Sequence, residues 1–136
     1  MRVPMGVFGL ITPWNFPIAI PSWKIFPALI CGNTVVFKPS SDTSVCAAKF
    51  VETLVEAGLP KGVLNLIHGF GGEVGEYLVS HPGVDAISFT GSSDIGQRLE
   101  KICGEIHRII ATEMGGKNAI IVMDDAKLDL AIDGSM

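Results

Sequence analysis

Short apolar runs alternate along this chain with helix-like stretches, and Gly, Pro, Asn or Ser marks nearly every junction. The runs are Val7 to Ile11, Thr34 to Phe37, Val63 to Ile67, Ala86 to Phe89, Arg108 to Thr112 and Ala119 to Val122. Between them, helices are predicted over Ser22 to Ile30, Ser44 to Ala57, Glu73 to Ser80, and from Ser92 or Ser93 to about Cys103. Another starts at Leu128. Cys31-Gly32-Asn33 reads as the end of the first helix, because glycine takes the left-handed turn that closes a helix. Nearly continuous apolar strands alternating with helices require a parallel sheet covered on both faces. The predicted class is therefore α/β, a doubly wound parallel sheet in one domain over 1–136, and both ends read as cut from something larger.

From Val3 to Trp23 no side chain is charged, a length that invites a membrane span. Pro4, Pro13, Pro17 and Pro21 interrupt it and Asn15 sits at its middle, so neither a span nor a signal peptide at Met1-Arg2 is expected. The expected place is the cytoplasm. A net charge of −4 with no basic run excludes nucleic-acid binding by phosphate neutralisation. Cys31, Cys46 and Cys103 are too widely spaced for a metal set, as are His68, His81 and His107. The cysteines read as buried free thiols. With 18% charged residues and a mean hydropathy of +0.44, the chain suits a piece normally covered by other protein.

Ligands of open α/β sheets bind at the carboxyl ends of the strands. Thr12-Pro13-Trp14-Asn15-Phe16-Pro17 follows the first strand. An asparagine held between prolines, read here as buried, can aim its amide at an oxyanion; the plain alternative is a Pro-rich turn. Lys38-Pro39-Ser40-Ser41 ends the second strand with a lysine suited to a ribose or phosphate, or simply a solvated terminus. Gly69 to Gly75 resembles a phosphate loop but spaces as GxGxxxG, and Gly75 alone would let a helix pack closely on the sheet. Phe89-Thr90-Gly91-Ser92 opens a helix whose amide groups can bind an anion; Ser92 or Ser93 can equally act as an ordinary cap. Glu113 follows an apolar strand and precedes Gly115-Gly116-Lys117-Asn118. That suits a general base beside a closely approaching ligand, or a plain turn.

TPWNFP, KPSS, FTGS and EMGGKN, in this order and spacing over essentially the whole chain, resemble the aldehyde dehydrogenase superfamily. The resemblance implies a Rossmann-like sheet, here incomplete: a partial NAD(P)-binding domain lacking the oligomerisation strand and the catalytic cysteine. It implies that Asn15 helps hold the thiohemiacetal oxyanion and that Trp14 lies near the nicotinamide. Lys38 would contact the adenine ribose, Gly71 the neighbourhood of the adenine, and Ser92 the pyrophosphate. Glu113 would activate the water that hydrolyses the thioester, with Gly115 near the nicotinamide. Met114 replaces the commoner leucine, a volume-conserving change.

The implied reaction oxidises a small-molecule aldehyde to an acid with NAD or NADP. No metal and no nucleic acid take part, and the full enzyme is a homodimer or homotetramer. No cysteine follows Glu113, so the chain alone is expected to be inactive; a non-catalytic cofactor-binding fragment or truncated gene product is the alternative. Glu113 favours hydrolysis over transfer to coenzyme A. In NAD-preferring relatives the position three after the KP lysine is commonly glutamate. Here it is Ser41, which removes a repulsion against the 2′-phosphate of NADP+ and implies that NADP is tolerated.

Overall fold

The computed structural model describes residues 3–117 and 119–135. Asn118 of the EMGGKN motif, Met1-Arg2 and Met136 lie outside them. Five strands among the described residues form one all-parallel sheet: β1 (Val7–Ile11), β2 (Thr34–Lys38), β3 (Leu64–Leu66), β4 (Ala86–Gly91) and β5 (Ile109–Met114). Their order is β3-β2-β1-β4-β5, the doubly wound layout expected from the alternation. The chain winds outward from β1 to β3, then returns to β1's other side at β4. β1 is thus paired along both edges, Leu10 lying beside Phe37 on one side and Ser88 on the other.

Helices cover both faces. α1 (Ala19–Ile30) and α2 (Ser44–Glu56) lie on one, over a core of Leu10, Ile25, Ala28, Val35, Phe37, Ala47 and Leu64. α3 (Glu76–Ser80) and α4 (Ser93–Glu105) lie on the other, over Ile11, Leu78, Val79, Ile87, Phe89, Leu99 and Cys103. α4 can close on the sheet because Gly96 has no side chain; a Cβ there would collide with Met114 Sδ. α5 (Leu128–Ser135) has no buried residue.

Polar clamps fix where β1 begins. The Asn33 amide oxygen accepts from the Met5 and Gly6 backbone N–H groups at 2.7 and 3.1 Å, and its nitrogen donates to the Ala28 carbonyl at 3.0 Å. Asp85 accepts from the Val7 N–H at 2.7 Å. Gly6 sits at φ +126°, where a side chain would be strained and would strike the Asp85 carboxylate. The expected helix end also holds: Gly32 is left-handed and donates to the Leu29 carbonyl at 2.9 Å, while Asn33 N–H reaches Ala28 at 3.1 Å.

Several boundaries differ from expectation. α1 starts three residues earlier, with Pro21 in its first turn, where no intrahelical donor is lost, and Pro27 in its interior. The stretch expected to be one helix from Glu73 opens instead with a π-helical turn, Gly71–Gly75, and only then becomes α3. Ala119 to Val122 is no strand: these residues lie exposed, with no neighbouring strand among the described residues to take their backbone groups. Cys31 and Cys46 are free but exposed, and only Cys103 is buried. The α1 side of β5 is bare, with Ile109, Ala111 and Glu113 exposed, which agrees with the apolar composition. No helix among the described residues is long and apolar enough to cross a membrane.

Phe37 is wholly buried in the core beneath α1 and α2, whereas Ile109 is 60% exposed. In urea unfolding of the 136-residue chain, Phe37→Ala is expected to cost about 3–5 kcal/mol, and Ile109→Ala to stay within about 0.5 kcal/mol of the parent. Comparable losses from both would mean that the β5 face is covered.

Candidate active site

The carboxyl ends of β1, β4 and β5 meet around a cleft of about 340 Å3 lined by Pro13, Trp14, Asn15, Thr90, Gly91, Ser92, Glu113, Met114 and Gly115. It gathers Trp14, Asn15, Ser92, Glu113 and Gly115 from segments nearly 100 residues apart in the chain. Parallel pairing does this: with β1, β4 and β5 in register, the loops that leave them must emerge side by side. Ser93 Oγ ties the wall together by donating to the Gly115 carbonyl at 3.5 Å.

Three local expectations need correction. Asn15 is exposed, not buried, because nothing packs over the loop between its two prolines. Glu113 lies inside β5, paired with Thr90, since the strand runs on to Met114 opposite Gly91. Ser92 occupies the N-cap position of α4, but its side chain makes no capping bond. The first turn of α4 therefore points backbone N–H groups at the cleft without a side-chain acceptor of its own, an arrangement that favours an anion. Below the PWNFP loop, Thr12 is 3% exposed and its hydroxyl has no protein partner.

A second cleft, about 150 Å3, lies on the far side of α4's first turns. Gly71, Gly72 and Gly75 form one wall; Ile95, Arg98 and Leu99 form the other, with Ile11 and Phe89 as floor and Glu76 at the rim. Lys38 borders this region, its Cδ and Cε 3.7 Å from where a Cβ on Gly75 would stand. Lys38 is not a solvated terminus. It is 3% exposed, Nζ donates to the Pro39 carbonyl at 3.0 Å, and burial lowers its pKa from the usual lysine value. Ser41 is exposed in a 3-10 turn, Ser41–Thr43, its hydroxyl 3.4 Å from the Gly69 carbonyl. Thr43, not Ser44, stands at the N-cap of α2; Ser44 donates to the Ser41 carbonyl at 3.0 Å. Of the eight candidates, Gly71 lines the second cleft, Lys38 stands beside its Gly75 wall and Ser41 reaches Gly69 just outside it, while the other five line the first.

Lys24 and Arg98 were not singled out by the sequence. Lys24, on α1, reaches across the open face and donates to Ser88 Oγ at 2.8 Å. Burial lowers its pKa, while the negative charge of Glu113 acts to raise it. The only sequence signal was a lone cation in an apolar helix. Among the described residues no group of three or more potential ligands could hold a metal ion.

The whole chain, residues 1–136, matches the model of the aldehyde dehydrogenase family. It is 51% identical over 132 residues to the alpha-ketoglutaric semialdehyde dehydrogenase of Bacillus subtilis, covering 97% of this chain and 27% of that protein. It is 50% identical over 135 residues to the 2,5-dioxopentanoate dehydrogenase of Saccharolobus solfataricus, covering 98% and 28%. The structure of an NAD-dependent aldehyde dehydrogenase from Sinorhizobium meliloti superimposes with a TM-score of 0.92 at 44% identity, over 98% of this chain and 27% of that one. The chain spans little more than a quarter of the length of the relatives it matches.

Lys24 offers a test of the electrostatics. Its folded pKa is lowered and its unfolded pKa is ordinary, so between the two the unfolded chain holds more protons and stability rises with pH. Below both values the cost of burying the ammonium is felt in full. In the 136-residue chain, the stability of wild type relative to Lys24→Met is therefore expected to rise as pH climbs toward the unfolded lysine value and to level off above about pH 10.4. A difference independent of pH, read from urea midpoints, would contradict this.

Proposed function

The chain belongs to the aldehyde dehydrogenase family, and on that premise we propose that residues 1–136 are the nicotinamide-cofactor-binding segment of an enzyme that oxidises a small-molecule aldehyde to a carboxylic acid. The observation that carries this reading is the first cleft, where Asn15 and Glu113 converge from β1 and β5. Asn15 supplies an amide donor for an oxygen that gains charge as a nucleophile adds to the aldehyde carbon. Glu113 supplies a carboxylate to take the proton from the water that releases the acid. Trp14 and Gly115 flank the same space.

The surroundings suit a dinucleotide. A narrow slot with a glycine wall and a helix N-terminus without a side-chain cap both offer what a dinucleotide needs. Bound NAD or NADP would supply the hydride acceptor. On this reading Trp14 and Gly115 face its nicotinamide end, Ser92 and α4's amide groups its pyrophosphate, and Lys38, Ser41 and Gly71 its adenosine end. The full-length protein is then a cytoplasmic homodimer or homotetramer.

No cysteine lines the first cleft. Cys31 borders a groove beside α1, Cys46 a shallow one on α2, and Cys103 is core. The 136-residue chain alone is therefore expected to produce no reduced cofactor from aldehyde. In the full-length enzyme, Glu113→Gln is expected to keep a burst of reduced cofactor and to cut steady turnover by about 100-fold or more. Strict dependence of the wild type on coenzyme A, or full turnover in Glu113→Gln, would overturn the hydrolytic role.

Ser41 bears on cofactor choice. Its exposed hydroxyl leaves a 2′-phosphate unopposed where a carboxylate would repel it, and the buried ammonium of Lys38 lies nearby. Wild type is expected to accept NADP+, and Ser41→Glu to lower kcat/KM for NADP+ by about tenfold, equivalent to about 1.4 kcal/mol. A wild type that strongly rejects NADP+, or an unchanged ratio in Ser41→Glu, would end this assignment.

A further inference from the structure

The place where α4 meets the end of β5 is packed more closely than folding alone requires. Gly96 closes the first turn of α4, its N–H donating to the Ser92 carbonyl at 3.0 Å. A Cβ on Gly96 would stand 2.2 Å from Met114 Sδ, 2.8 Å from Met114 Cγ and 3.3 Å from Phe89 Cε1. The two methionine atoms lie inside the side chain, so turning its terminal methyl would not clear them. Phe89 has little room to yield. It is 3% exposed, and its Cζ lies 2.5 Å from where a Cβ on Gly91 would stand. Gly91 is in turn the residue paired with Met114 across β4 and β5. Two glycines thus make room for one thioether and one ring at the strand ends.

Met114 links the two parts of the first cleft. It follows Glu113 in β5, and both residues line that cleft. Successive strand residues face opposite sides of a sheet. Met114 packs into the α4 layer, whereas Glu113 lies on the bare face with Ile109 and Ala111. Other ties hold the start of α4 less firmly. The bond from Ser93 Oγ to the Gly115 carbonyl is long, at 3.5 Å. Arg98 and Glu76, 2.9 Å apart, join α4 to α3 as a surface pair, which contributes little. The contact of Met114 with Gly96 therefore decides where the first turn of α4 stands relative to Glu113.

We propose that Met114, seated against Gly96, is a positioning residue that holds the first turn of α4 and Glu113 as one unit. A change at the contact is then felt at both ends. One end is the helix amide groups that face the cofactor; the other is the carboxylate that takes a proton from water. The proposal rests on the reading of the chain as the cofactor-binding segment of an aldehyde-oxidising enzyme. It adds that cofactor binding and acid release are coupled through one thioether.

The test uses the full-length enzyme. Calorimetry gives the Kd for NAD+, and rapid mixing at saturating NAD+ gives the burst and the steady rate of reduced-cofactor formation. Met114→Ala is expected to raise the Kd and to slow the steady rate, each by about tenfold, with the burst amplitude retained. Met114→Leu, of similar volume, should recover most of both losses. Gly96→Ala should also weaken both. Adding Met114→Ala to it should restore part of each, because the smaller side chain clears the new methyl. Losses that simply multiply in the double variant would overturn the proposal. So would a Met114→Ala that alters only one of the two quantities, or one that lowers the burst amplitude as well, which would mean a general loss of structure. Should Gly96→Ala fail to fold, Met114→Ala and Met114→Leu decide the matter alone. A wild type that binds no NAD+ would overturn the cofactor reading itself, and the coupling with it.

Discussion

Everything at the candidate site depends on β1 being hydrogen-bonded along both edges. β2 and β4 fix its register, and the two helical layers bury its faces. A strand so confined cannot slip by one residue without turning its whole apolar set over. Its carboxyl end is therefore a fixed point, and the loop that leaves it must face the ends of β4 and β5. The order in which strands are added reverses at this strand while all of them stay parallel, so the helices part on either side and leave room above it.

That geometry divides the site into two compartments with α4 between them. The first is open, with Asn15 and Glu113 exposed at its walls. The second is narrow and mostly apolar. A molecule reacting at one end and recognised at the other would lie across the first turn of α4, where the uncapped amide groups meet it midway. Two lysines lie close by, Lys38 beside Gly75 and Lys24 on the α1 side of the sheet, each with a pKa lowered by burial.

Much of this was legible in the residues. Five of the six expected strands form, because apolar runs bounded by Gly and Pro have few other uses in a doubly wound sheet. The strand-end segments at Pro13 to Asn15, Thr90 to Ser92 and Glu113 to Gly115 line one cleft and Gly71 to Gly75 another, while Lys38 to Ser41 lines neither. What failed was of two kinds. Ala119 to Val122 has strand composition, but a strand exists only where a neighbour accepts its hydrogen bonds, and composition carries no information about neighbours. Asn15 and the exposed cysteines were misjudged likewise, because burial is decided by what lies across the fold. Lys24 and Arg98 escaped notice because their partners are 64 and 22 positions away in the chain. The π-helical turn at Gly71–Gly75 also follows no apolar period that a helix pattern would reveal.

The strand order also sets a timetable for the newborn polypeptide. Val7 and Asp85, which bond at the start of β1, are 78 positions apart. A ribosome adding roughly 5–20 residues per second needs about 4–16 seconds to bridge that gap. During that interval β1, β2 and β3 can already assemble, while β1's second edge stands open with the apolar side chains of Ile11 and Val7 uncovered on one face. An open strand edge is a template for any other extended chain. The innermost strand of the finished sheet is thus exposed along one edge during synthesis, and a chaperone that shields it until β4 emerges would act on the strand whose carboxyl end later borders the first cleft.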